Sequence, residues 1–199
     1  MAKYVGPKDR LSRREAFDIF SAGVKLPRLN VPPGVHGPKG TGKVSQYGKQ
    51  LREKQKVRRI YGILEKQFRR YVDEALKSKG NTGEALLVSL ERRLDNVVFR
   101  LNFAPSRPSA RQIVSHRHVL VNGKKVNIPS YNLRVGDTVS LDTKAGNIPE
   151  IKKAVELKDA KIPSWLEKKA LVGKVSALPK REDIIEPISE QDIVEFYSR

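Results

Sequence analysis

The sequence predicts an α+β protein, helical in its first half and sheet-bearing after it. Three observations carry this reading. Apolar stripes at helical spacing recur between residues 63 and 114, an Asn-Gly pair separates two β-prone runs near residue 122, and clustered Pro and Gly exclude regular structure from residues 24–48. The 199 residues suffice for one large domain or two small ones and for a real core.

Taken in chain order, Ser12 and Glu15 stand at capping-box spacing, with Ala16, Ile19 and Phe20 following at helical intervals. A short basic helix bearing Arg10, Arg13 and Arg14 is expected there, ending by Gly23. Residues 24–48 contain Pro27, Pro32, Pro33 and Pro38 among five glycines, and carry Arg28, His36, Lys39, Lys43 and Tyr47, with Lys49 just beyond. That composition suits a strand that threads along RNA and orders on binding, or a flexible linker.

Residues 50–60 are helix-prone, with Arg52, Lys54, Lys56, Arg58 and Arg59 on nearly every face, so phosphates are expected beside them. Residues 63–79 follow as a helix whose stripe is Leu64, Phe68, Tyr71, Val72, Ala75 and Leu76, with Arg69 and Arg70 on its polar side. Asn81, Thr82 and Gly83 break the chain and cap a further helix, whose stripe runs through Leu87, Leu90, Leu94, Val97, Val98 and Leu101. The short connection predicts that these two helices pack antiparallel.

Ser106 caps another helix with Pro108 in its first turn, Ala110, Ile113 and Val114 inward, and Arg107, Arg111 and Arg117 outward. Asn122-Gly123 is a two-residue hairpin signal, and a second turn at Gly136-Asp137 separates residues 133–135 from residues 138–141, which predicts a small curved sheet packed on that helix. Beyond Asp142 prolines punctuate short segments around Trp165. A last helix is expected after Ser189, anchored by Ile193, Val194 and Phe196.

Charge narrows the function. Forty Lys and Arg against 22 Asp and Glu leave +18, which on a compact body calls for a polyanionic partner. Residues 1–50 carry 10 basic and 3 acidic side chains, 51–100 carry 13 and 7, 101–150 carry 7 and 3, and 151–199 carry 10 and 9. An excess spread over three quarters of the chain describes an extended RNA-facing surface, and the near-neutral end describes protein packing. No apolar run reaches the roughly 20 residues of a spanning helix, and no signal segment opens the chain, so a soluble cytoplasmic protein without membrane partners is expected. The absence of Cys removes disulfides and thiolate zinc sites, and three His are few for any metal cluster, so no cofactor is expected.

Two motifs imitate catalytic signatures. Residues 37–44 nearly match a phosphate-binding loop, but Val44 stands where the magnesium-binding hydroxyl belongs and no strand leads into the loop. Arg93-Leu94-Asp95 resembles the tripeptide around the catalytic Asp of pseudouridine synthases. Here Leu94 lies on an apolar stripe, and Asp95 is explained as a surface residue paired with Arg92 or Arg93.

Residues 92–137, with Ser106-Arg107, Ala110-Arg111-Gln112 and Val121-Asn122-Gly123, resemble the RNA-binding module named after small-subunit ribosomal protein four. The flanking segments, residues 47–71, 82–101, 163–167 and 192–199, resemble that ribosomal family itself, of the bacterial and organellar type. The resemblance implies a helical body of residues 45–90 completed by residues 187–199, a basic extension over residues 1–44, and an inserted α/β module with its connecting segment over residues 91–186. It implies RNA contacts from Ser106, Arg107, Arg111, Gln112, His116, Asn122, Lys124, Lys125 and Tyr131, beside the basic residues already named. Further implications are early binding to the five-prime domain of small-subunit rRNA, contacts with small-subunit proteins five and three, and support of decoding accuracy. Zinc-binding members place two Cys where Asp9 and Ser12 stand here, so this chain resembles the zinc-free branch.

Overall fold

A computed structural model of the protein describes residues 4–20, 28–40, 42–142, 145, 148–156 and 162–198. The expected helix end by Gly23 and the start of the Pro-rich loop lie outside these residues. The chain divides into two compact units, one of residues 1–83 with 187–199 and one of residues 84–186.

In the first unit, α1 spans Lys8–Glu15 and so ends where the sequence suggested a start. Ser12 is no N-cap. It is buried inside the helix, and its Oγ accepts from Ile19 N at 3.3 Å, fastening the chain that leaves through the left-handed Ala16. The Pro-rich stretch holds a single 3-10 turn, Gly37–Lys39. Helix α2, Gln46–Ile60, begins four residues earlier than expected because Ser45 caps it, accepting from Gly48 N at 3.2 Å. Helix α3, Glu65–Lys77, buries Phe68, Tyr71, Val72 and Ala75, while Leu64 and Leu76 are exposed at its two ends. The last helix, α8, Glu190–Tyr197, packs on α2 and buries Ile193 completely.

The expected continuous helix over residues 82–101 is two helices, α4 (Thr82–Glu91) and α5 (Leu94–Arg100). The break has a visible cause. Arg93 is extended and forms an antiparallel bridge with Asn132, Leu94 N donates to Tyr131 O at 2.8 Å, and Leu133 N donates to Arg92 O at 3.0 Å. Backbone groups that would continue the helix are taken by this strand-like segment. The antiparallel pairing expected of α3 and α4 falls on the division between the units, α4 belonging to the second from Glu84 onward.

Also in the second unit, α6 spans Arg107–Ser115, capped by Ser106 Oγ, which accepts from Ser109 N at 3.4 Å, and buries Ala110, Ile113 and Val114. Strands β1 (Val119–Val121) and β2 (Lys124–Lys125) meet at Asn122 and Gly123, both at positive φ (49° and 78°), as the mirror-image hairpin turn requires. Strand β3 (Thr138–Leu141) pairs with β1, but residues 133–135 form no strand. The sheet grows on the other side of β3 through β5 (Val172–Val175) and β4 (Leu166–Lys169), a hairpin the sequence did not announce, giving the antiparallel order β2-β1-β3-β5-β4. Helix α7, Pro149–Glu156, lies between β3 and β4 in sequence.

Alternation along the strands sends Val119, Val121, Val139, Leu141, Leu166 and Val175 into one core with Leu94, Val97, Leu101, Phe103 and Val114, closed by Trp165. Gly173 takes the remaining inward position, where a Cβ would overlap the side chain of buried Leu101. Gly173→Ala is therefore expected to cost about 1–3 kcal/mol as an overpacked core does. Urea unfolding curves of the two chains check this, with an unchanged midpoint as the contrary outcome.

Candidate nucleic-acid interface

Basic residues fall into two groups in the first unit, those held by protein partners and those left on the surface. Glu15, almost wholly buried, receives Arg52 Nη1 at 3.3 Å and a short bond from Arg59, drawing both guanidiniums to the α1 side of α2. Burial raises the Glu15 pKa against the pull of these arginines, and burial likewise lowers that of Arg59. Lys54, expected to meet phosphate, is instead buried between Glu65 at 2.8 Å and the Phe196 ring, 4.6 Å from its centroid. Arg58 joins the same Glu65 at 3.2 Å. Tyr197 Oη donates to Glu65 at 2.7 Å, and burial followed by this bond pushes the phenol pKa above its ordinary value. Lys56 pairs with Glu53 three residues back and donates to Pro187 O. Helix α2 is thus not basic on all sides without compensation: five of its six cations hold α1, α3 or the returning C-terminus, Lys56 while also pairing within the helix, and Lys49 is exposed.

Arg13 donates from Nε to Val31 O at 3.0 Å and from Nη2 to Pro32 O at 3.2 Å, tying the Pro-rich segment to α1. Arg10, Arg14, Arg28, Lys39, Lys43, Lys49, Arg69 and Arg70 are exposed. Tyr47 is half exposed and leans on Phe196, with ring centroids 5.6 Å apart.

In the second unit two of the three arginines expected to project outward, Arg107 and Arg111, do not, whereas Arg117 is exposed. Arg107 donates from Nη2 to Glu186 Oε1 at 2.6 Å and from Nε to Asn96 Oδ1 at 2.9 Å, and its guanidinium lies 4.6 Å from the Phe99 ring centroid. Arg111 reaches Asp95 Oδ2 at 3.2 Å. Asp95 is buried, not a surface residue, and it also receives Arg93 Nε and Nη2 at 3.1 and 2.8 Å; Arg93 is itself fully buried. Beside it Arg100 bridges Glu91 and Glu186, each at 2.8 Å, and Asn96 Nδ2 donates to Glu91 at 2.8 Å. Burial would raise the Glu186 pKa, but Arg107 and Arg100 outweigh it and hold the carboxyl at about 2. This ion-pair network fixes the outer edge of α6.

Of the contacts expected in this unit, Gln112, His116, Arg117, Asn122, Lys124, Lys125 and Tyr131 are exposed, with Ser106 partly covered by its capping role. Asn122 is bound into its turn by Asp137 and Thr138, and Lys125 pairs with Asp142 at 2.7 Å. The surface therefore offers Lys124, Arg117 and His116 as cationic or polar contacts on a rigid hairpin and helix end. The sequence reading named the cations and missed their carboxylate partners, because Glu15, Glu65 and Glu186 lie 37, 11 and 79 residues from Arg52, Lys54 and Arg107. Two pairs had a local signal, Glu53–Lys56 at helical spacing and Arg93–Asp95 two residues apart.

Among the described residues no group of three or more His, Asp or Glu side chains is placed to hold a metal ion, and no helix is long and apolar enough to cross a membrane. Comparison with known proteins agrees with the geometry. The family model "Ribosomal protein S4/S9 N-terminal domain" matches residues 3–91, and the S4 domain model matches residues 92–139. The curated relatives include small ribosomal subunit protein uS4 of Geobacter sulfurreducens, 56% identical, and those of Geotalea daltonii and Caldicellulosiruptor bescii, each 54% identical, all over 100% of both chains. With two family models covering the helical unit and the capped-helix hairpin, and full-length identity above one half, the chain belongs to the uS4 family of small ribosomal subunit proteins.

Proposed function

We propose that this chain is a structural constituent of the small ribosomal subunit, working in the cytoplasm as an rRNA-binding protein and not as an enzyme. The observation that carries the reading is a basic surface on each unit of a chain identical at 56% of positions to a small-subunit protein along its whole length. Lys and Arg on both surfaces neutralise converging phosphates and so favour one arrangement of RNA helices that otherwise repel. The finer reading is that the chain binds the five-prime domain early in assembly, meets small-subunit protein five, and meets protein three around the channel by which messenger RNA enters. Its near-neutral last quarter supports protein contacts of this kind.

A pseudouridine-synthase-like reading is disfavoured by chemistry. Both oxygens of Asp95 are occupied by Arg93, Arg111 and the Asn96 amide, which leaves no lone pair aimed at a substrate.

The ion pairs change which residues test the binding. Exposed Lys124, Arg69 and Arg70 are direct phosphate contacts, so each Ala substitution is expected to lower the slope of log affinity against log salt by about 0.7–0.9, equally on cognate and unrelated structured RNA. Arg107 acts through geometry. Arg107→Lys keeps the charge but loses the fork that joins Glu186 and Asn96, so preference for the cognate RNA falls while the salt slope stays constant. Filter-binding titrations at several salt concentrations decide it. An altered slope with equal loss on both RNAs for the Lys variant would sink this division of labour.

A further inference from the structure

One cleft in the first unit has four arginines among its six lining residues. Its walls are Arg10, Leu11 and Arg14 from α1, Arg52 and Arg59 from α2, and Tyr4 from the chain entering α1, around a space of about 340 Å³. Four like charges converging on one concavity repel one another, and a protein keeps them together only when something opposite offsets the repulsion. Glu15 supplies part of that offset. It lies beneath Arg52 and Arg59, bonded to both, and does not line the cleft. Four guanidiniums less one carboxylate leave three positive charges facing an opening with no acidic side chain among its described lining residues.

The two walls differ in a way that suits a ligand. Arg52 and Arg59 are held in place from below, with 38% and 18% of their side chains exposed, so they present fixed donors. Arg10 and Arg14 are exposed, and no carboxylate among the described residues pairs with them, so they are free to close over an anion. Guanidinium groups match phosphate oxygens two at a time, which a single carboxylate would not exhaust. Tyr4 stands at the rim, half exposed, its hydroxyl donating to Pro7 O at 3.4 Å, and offers a flat apolar face next to the cationic floor.

We propose that this cleft is a discrete site for two or three closely spaced phosphates, with Arg52 and Arg59 as its fixed donors and Arg10 and Arg14 as its closing pair. The inference deepens the rRNA-binding reading and rests on it for the occupant: a nucleic-acid backbone folded tightly enough to bring phosphates together. A free polyphosphate carries the same chemistry. Tyr4 favours the nucleotide source, since a ring at the rim adds stacking that a bare polyphosphate does not use.

The test uses the full chain and inorganic tripolyphosphate as the probe. Calorimetric titration is expected to show one saturable site, weakened tenfold or more by the double variant Arg10→Gln, Arg14→Gln, and unchanged by Lys124→Gln in the other unit. Neither exposed arginine forms an ion pair with a carboxylate among the described residues, so the double variant is expected to keep its fold, which circular dichroism verifies. RNA binding then separates the sources. If the double variant also loses affinity for small-subunit five-prime-domain RNA, tripolyphosphate competes with that RNA, and Tyr4→Leu weakens only the RNA, the occupant is the nucleic-acid backbone. If tripolyphosphate binding is lost and RNA binding is untouched, the cleft stands as a polyphosphate site and only its occupant changes. Tripolyphosphate binding that is unaffected by the double variant, or spread over many weak sites, overturns the proposal. The rRNA-binding reading fails separately, when the wild-type chain shows no preference for five-prime-domain RNA whatever the cleft does.

Discussion

Asp95→Ala is expected to lower the unfolding free energy by about 3–5 kcal/mol, the cost of removing one partner from a buried ion pair. Arg93 has no solvent exposure, and Asp95 receives two of its guanidinium nitrogens as well as Arg111. Without the carboxylate that buried charge loses its principal countercharge, next to the Asn132 bridge that ends α4. Urea unfolding followed by far-ultraviolet dichroism reads the change. The structural role also specifies a contrast: Lys125→Ala breaks an exposed pair with Asp142 and is expected to cost well under about 1 kcal/mol. Equal, small losses for both variants would show that the Arg93–Asp95–Arg111 cluster does not hold the second unit together.

Acidification should act through Glu186. Its carboxyl is depressed from 4.5 to about 2, because Arg107 and Arg100 overcome the burial that would raise it. A folded-state value below the unfolded one means the contribution is complete above about pH 4.5 and is lost as the pH falls toward 2. A depression of this size corresponds to about 3 kcal/mol. Glu186→Gln is therefore expected to be less stable than the parent at neutral pH and to show a flatter loss between pH 4.5 and 2, with the two chains converging at the acid end. Stability curves at stepped pH check both features. Parallel acid limbs for parent and variant would assign the pH dependence to other carboxylates.

What the sequence disclosed about the fold follows from which forces are local. Ser106 and Pro108 at a helix start, Asn122-Gly123 between β-prone runs, and the stripe of Phe68, Tyr71, Val72 and Ala75 are short-range signals, and each appears where its spacing placed it. Two readings failed where a distant segment intervened, and one hairpin lacked a local signal. The stripe from Leu87 to Leu101 is continuous in spacing, yet residues 131–133 pair with the backbone at residues 92–94 and divide it. Ser12 and Glu15 had the spacing of a cap, but Glu15 is drawn under Arg52 and Arg59, and the helix precedes them instead of following. The hairpin of β4 and β5 went unread because Leu166 to Val175 alternates weakly and Gly173 fills an inward position normally marked by an apolar side chain.

The candidate interface was legible in its cations and illegible in their restraint. Counting Lys and Arg identifies a polyanion as partner, but whether a given cation faces solvent depends on carboxylates far away in sequence. Lys54, Arg107 and Arg111 show this most clearly, each directed by an acidic residue that no spacing rule connects to it. Exposure then moves the expected phosphate contacts toward Lys124, Arg117, Arg69, Arg70 and the mouth of the α1–α2 cleft.

The claim that this chain is a constituent of the small ribosomal subunit is tested most directly by sedimenting a tagged copy with ribosomal subunits through a high-salt gradient. Binding by scattered phosphate contacts weakens steeply as salt rises, whereas a protein built into folded rRNA is retained by shape and by many simultaneous contacts. The expected result is stoichiometric retention on the small subunit and none on the large one. Release at high salt, or equal binding to both subunits, would contradict the account.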